Sequence, residues 1–89
     1  MSFWIVQFED NSPVDYDSFP TAEQALEAFC SDLRKASKHY KFRMPLVLDG
    51  FTHVREWDAD DKALSYALFG VPKSMVTPAI DWLNKEDAL

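Results

Sequence analysis

Apolar and polar positions recur at two different periods along this chain, and each change of period marks an element. The stretch FWIVQF (3–8) is apolar on both faces of an extended chain and rich in aromatic and β-branched residues, which predicts a strand. EDNSP (9–13) supplies the turn-forming Asp, Asn, Ser and Pro, so VDYDSF (14–19) returns as the second strand of a hairpin. Val14, Tyr16 and Ser18 would share one face of that strand, with Asp15, Asp17 and Phe19 on the other. Its acids suit an edge, where charge discourages stray pairing.

The period then lengthens. Ala22, Ala25, Leu26, Phe29, Leu33 and Ala36 form one helical stripe, with Glu23, Glu27, Ser31 and Arg34 opposite. Thr21 as N-cap and Gln24 three residues later make a capping box, so a helix is predicted over about 21–38. MPLVLDGFTHVREW (44–57) reads as a second hairpin turning at Asp49-Gly50, because a tight type I′ turn needs positive φ. Asp58 would cap another helix with Asp60 and Asp61 in its first turn, an Ala63, Leu64, Ala67 and Leu68 stripe, and Gly70 as its stop. Thr77-Pro78 would open a short terminal helix as N-cap and first residue.

The expected order is therefore ββαββα plus a short C-terminal helix. Such an order implies an α+β two-layer sandwich: an antiparallel sheet from two β-hairpins with helices on one face, in a single domain over 1–89. An apolar fraction of 47%, with aromatic residues making up 15% of the chain, is enough for a core without metals or disulfides. The lone Cys30 has no internal partner and points to a reducing, cytoplasmic setting. No apolar run is long enough for a membrane span, and the N-terminal apolar run lacks a preceding basic region, so it reads as a strand and not a signal peptide.

Charge changes the picture more than composition does. The net charge is -6, yet residues 1–33 hold seven acids and no Lys or Arg, while residues 34–43 hold five bases and no acid. The overall field favours a basic partner over a polyanion. Asp15, Tyr16, Asp17, Trp57, Asp58, Asp60 and Asp61 are the candidate contact residues of such an acidic, aromatic surface. Arg34, Lys38, Tyr40, Lys41 and Arg43 interleave cations with rings, the composition of a nucleic-acid contact. Arg34, Lys35 and Lys38 are equally accounted for by the negative end of the preceding helix.

Catalytic signatures are sparse. Cys30 lies mid-helix beside Phe29, away from the helix N-terminus that would activate it, and His39 and His53 are too few for a zinc site. With two glycines there is no phosphate-cradling loop, and DADD (58–61) lacks the glycine turn of a calcium loop. The expectation is a non-enzymatic protein, without cofactor or metal, that works by binding another protein. In size and layout the whole chain is similar to small phage- or bacterium-encoded inhibitors such as anti-CRISPR, anti-restriction and immunity proteins, a likeness carried by no diagnostic motif. The alternative is a nucleic-acid-binding regulator using residues 34–43. An exposed edge of either hairpin also offers a second copy a place to pair in a homodimer.

Overall fold

The computed structural model describes residues 2–36, 41–42, 45–57 and 63–85. Strands β1 (Phe3–Glu9) and β2 (Ser12–Phe19) form the first hairpin, followed by helix α1 (Ala22–Ala36). Next come β3 (Lys41–Phe42), β4 (Leu46–Leu48), β5 (Phe51–Trp57), β6 (Ala63–Phe69) and helix α2 (Lys73–Lys85). All pairings are antiparallel, in the order β2-β1-β6-β5, with β3 and β4 both on the free side of β5 at its two ends. The class is the expected one: α+β, a sheet backed by two helices that touch each other.

The first turn is tighter than a five-residue stretch suggests. Asp10 (φ 49°) and Asn11 (φ 69°) alone link Glu9 to its partner Ser12. Positive φ at both central residues is the type I′ requirement, and Asp and Asn are the non-glycine residues that tolerate it best. Gln7 pairs with Asp15 but Phe8 pairs with Pro13, so Val14 is the extra residue of a β-bulge and drops out of the simple alternation. Pro13, which cannot donate to a ladder, sits on this edge strand as such a residue must.

Helix α1 follows its sequence signals. The Gln24 N–H donates to Thr21 Oγ1 at 3.2 Å, closing the cap. Ala25, Phe29, Leu33 and Ala36 are buried against Ile5, Val54, Leu64, Tyr66 and Leu68 of the sheet and Val71, Val76 and Ile80 around α2.

Two expectations are corrected. Ala63–Phe69 is a strand, not a helix, and lies between β1 and β5. Its side chains satisfy a period of two as well as the helical one: Leu64, Tyr66 and Leu68 enter the core, while Ala63, Ser65 and Ala67 face the other way. A seven-residue apolar run cannot separate those periods, and two waiting ladder partners decide it. Asp10 clamps the strand's start, its N–H donating to the Ala63 carbonyl at 2.9 Å while its Oδ1 accepts the Ala63 N–H at 3.2 Å. The last helix likewise begins at Lys73 and carries Pro78 inside it, so Thr77 is not its cap. Its N-terminus is capped from another element, Asp49 Oδ1 accepting the Lys73 N–H at 3.1 Å, and the Pro72 carbonyl takes the N–H groups of Met75 and Val76.

Candidate functional site on the open face of the sheet

Both helices pack on the layer side defined by Ile5, Val54, Leu64, Tyr66 and Leu68. Strand alternation then sends the intervening residues to a face that no element among the described residues covers. The register arranges that face in rows. One row runs Ser18, Trp4, Phe69, Phe51, Leu48 across five strands. The next runs Tyr16, Val6, Ala67, His53, Leu46, and a third Pro13, Phe8, Ser65, Arg55.

Large apolar groups are therefore displayed, not hidden. Tyr16 is 59% exposed, Leu46 52%, Leu48 49%, Trp4 43% and Phe69 36%, all in these rows. Small side chains along β6 make a trough between them. Ala63, Ser65 and Ala67 are buried at its floor beneath taller neighbours. A depression of about 340 Å³ opens there, lined by Phe8, Phe51, His53, Ser65, Ala67 and Phe69. Phe51 holds one wall together: its ring lies parallel to His53 (6.4 Å between centroids, 4° apart) and tilts onto Phe69 at 5.2 Å. Burial, and secondarily the charge of Arg55, hold the His53 imidazole below its ordinary value, so it is neutral at pH 7.

The acids lie on the other layer. Asp17 pairs with Ile5 and Asp15 with Gln7, so both share the helix side of β2, whereas Tyr16 points to the open face. Of the acidic, aromatic contact residues expected together, the structure thus puts Tyr16 on one side and Asp15 and Asp17 on the other. The Trp57 backbone pairs with Ala63 and Lys41, with its side chain outside the described set; Asp58, Asp60 and Asp61 lie outside the described residues. Arg34 is exposed in the last turn of α1, and Lys41 enters β3 by its backbone; Lys38, Tyr40 and Arg43, with His39, also lie outside the described residues.

Asp32 on α1 faces the same acidic edge. Burial raises its carboxyl above 3.8; Lys35 opposes this, and the charges of Asp17 and Asp15 reinforce it. The sign follows from linkage: a carboxyl with a raised folded-state value binds more protons folded than unfolded, so its ionisation destabilises the fold as pH rises past that value. Asp32→Asn is accordingly expected to melt higher than the wild type at pH 7, with the gap closing as pH is lowered toward 3.8. Thermal melts across that range, compared variant against wild type, check it; an equal gap at every pH contradicts it.

A second groove of about 530 Å³ runs between the helices, where Cys30, Leu26 and Arg34 of α1 meet Met75 and Ala79 of α2. Burial pushes the Cys30 thiol up, only partly countered by Arg34, so the sulfur stays protonated at neutral pH and is a poor nucleophile. Among the described residues, no group of three or more His, Cys, Asp or Glu side chains could hold a metal ion. Nor is any described helix long and apolar enough to cross a membrane.

Comparison with protein-family models, curated proteins and solved structures finds no match to this chain. The open face was hidden from sequence reading by the 58–70 assignment. Once ALSYALF is extended, the alternation of small and large residues along it marks a trough.

Proposed function

We propose that this chain is a non-catalytic protein-binding module, of the inhibitor or modulator kind, that acts by occupying a protein surface with the open face of its sheet. The observation that supports this reading is a face left uncovered among the described residues, with Trp4, Tyr16, Phe69, Leu46 and Leu48 standing around a small-residue trough. Soluble proteins rarely leave a contiguous apolar patch of this kind without a partner for it. Trp and Tyr are also the residues that most often dominate binding energy, since each buries a large rigid area at low entropy cost. The chain's net charge of -6, with Asp15 and Asp17 on the helix layer, suits a basic partner approaching from that side, but the protein seated on the open face is selected by apolar fit.

Affinity capture from the native cell with three baits tests this. Trp4→Lys is expected to lose the partner held by the wild type, at least tenfold in recovered amount, while the Asp15→Lys, Asp17→Lys double variant keeps it. Trp4 is 43% exposed, so the change leaves the core intact, which far-UV circular dichroism verifies. Retention by Trp4→Lys with loss on the double reversal would move the contact to the acidic layer. Loss with Arg34→Ala alone, and co-purifying nucleic acid, would favour the polyanion reading of 34–43.

A further inference from the structure

The open face of the sheet calls for a complementary apolar surface, and each copy of the chain carries one. We propose that the occupant of the face is a second copy of this chain, the two sheets packing face to face across a two-fold axis; this rests on the open face being a protein-binding surface.

Three observations carry it. The first is charge. The chain is acidic, so self-association needs a face without carboxylates, and among the described residues none occupies the rows of the open face. Asp15 and Asp17 sit on the opposite side of β2, and Glu23 and Glu27 are exposed on α1 in the layer behind the sheet. Packing open faces together therefore turns both sets of acids outward. The β2 edge, by contrast, would bring the two acidic edges together in an edge-to-edge dimer, which like charges in register disfavour.

The second is area. A two-fold axis between β1 and β6 overlaps the four strands β2, β1, β6 and β5, and at 4.8 Å per strand and 3.3 Å per residue over seven residues their planar footprint is roughly 440 Å². Two such faces bury about 890 Å² before side-chain relief is added, the lower end of interface sizes, where association is reversible.

The third is relief. A two-fold axis parallel to the strands, set between β1 and β6, lays β1 of each copy over β6 of the other. Val6 and Phe8 of one copy then meet Ala67 and Ser65 on its partner, a ridge entering a trough twice over, while Trp4 meets the Phe69 ring at the rim. The same axis sets β2 over β5, so the two Arg55 guanidinium groups start about three strand spacings apart and do not oppose each other. Sheets packed this way keep their strands within about 30° of alignment, as in β-sandwiches.

Sedimentation equilibrium of the full chain between about 1 µM and 1 mM tests the proposal, with Trp4→Lys, Tyr16→Lys and Asp15→Lys run beside the wild type. The expected result is a reversible dimer of the wild type whose dissociation constant rises at least 30-fold in Trp4→Lys and in Tyr16→Lys and does not rise in Asp15→Lys. Circular dichroism at the lowest concentration confirms that each variant is folded. A wild type that stays monomeric to 1 mM overturns the second copy as occupant; the open-face reading survives that outcome if Trp4→Lys still abolishes capture of a different protein. A dimer indifferent to both open-face changes but altered by Asp15→Lys is an edge dimer, and overturns this proposal while leaving the capture result to judge the reading beneath it.

Discussion

Phe29→Ala is expected to remove about 3–5 kcal/mol of stability, the usual cost of emptying a buried aromatic site. Phe29 is wholly inaccessible and lies in the middle of α1, within the cluster formed by the helix, the central strands and α2. A protein of 89 residues holds only about 4–13 kcal/mol in total at 0.05–0.15 kcal/mol per residue. The variant would therefore lose more than a fifth of its stability at the least, and nearly all of it at the low end of that range. Because α1 and the sheet cannot close over the space left by a ring without moving the backbone, most of the lost contact stays lost. Urea denaturation followed by circular dichroism should show a midpoint far below that of the wild type, with a similar slope. A shift equivalent to less than 1 kcal/mol would mean that α1 is not seated on the sheet as described.

The second large effect is expected at Gly70, where β6 ends. Its φ of +92° lies in the region that side chains avoid, and a Cβ there would stand 2.9 Å from Phe3 Cδ1. The residue is also tied into a clasp: its N–H donates to the Gly50 carbonyl at 2.8 Å, and the Gly50 N–H donates to the Val71 carbonyl at 3.2 Å. Gly70→Ala should cost about 1–3 kcal/mol from backbone strain alone. The collision with Phe3 adds to this, since that ring packs against the core and can give way only by loosening it. Asparagine distinguishes this site from a helix stop. A C′ position in the left-handed helical region near +57° accepts Asn, whereas φ +92° with a crowded Cβ does not, so Gly70→Asn should destabilise as Gly70→Ala does. Thermal melting of the two variants side by side decides it; a well-tolerated Asn would restore the helix-stop reading of this glycine.

That comparison also shows what was legible in the residues and what was not. Helix α1 was legible because its signals are local and agree: Thr21 caps, Gln24 answers, and Phe29 and Leu33 repeat at helical spacing. Both hairpin turns were legible in position, but only Asp10 and Asn11 take positive φ together; at Asp49-Gly50 the positive φ is confined to Gly50, so that turn is not the type I′ expected. Residues 63–69 were not, because Ala63, Leu64, Ala67 and Leu68 make a helical stripe while Leu64, Tyr66 and Leu68 make an extended one. The choice lies with β1 and β5, which are distant in sequence. The cap of α2 was beyond local reading too, since Asp49 reaches Lys73 across 24 positions. The candidate site inherits this: a face is open only with respect to a sheet whose strands are all known. Aromatic content announced surface-capable side chains, but Trp4, Phe51 and Phe69 became one row only when β6 was placed between the hairpins.

The position of β6 has a consequence for the order in which the molecule can assemble. β1 is synthesised well before one of its two neighbours, pairing Ile5 with Leu68 more than sixty residues later. At 5–20 residues per second, that strand waits roughly 3–12 s for its partner during synthesis. Meanwhile the first hairpin stands alone, and an isolated two-stranded hairpin is marginal in water. The last sheet strand to be made is therefore the one that closes the sheet, and folding should be a late, single event with the slow rate of long-range pairing. A nascent chain arrested before residue 63 would still lack its central strand, with Trp4, Val6 and Phe8 exposed along an unpaired edge and open to aggregation.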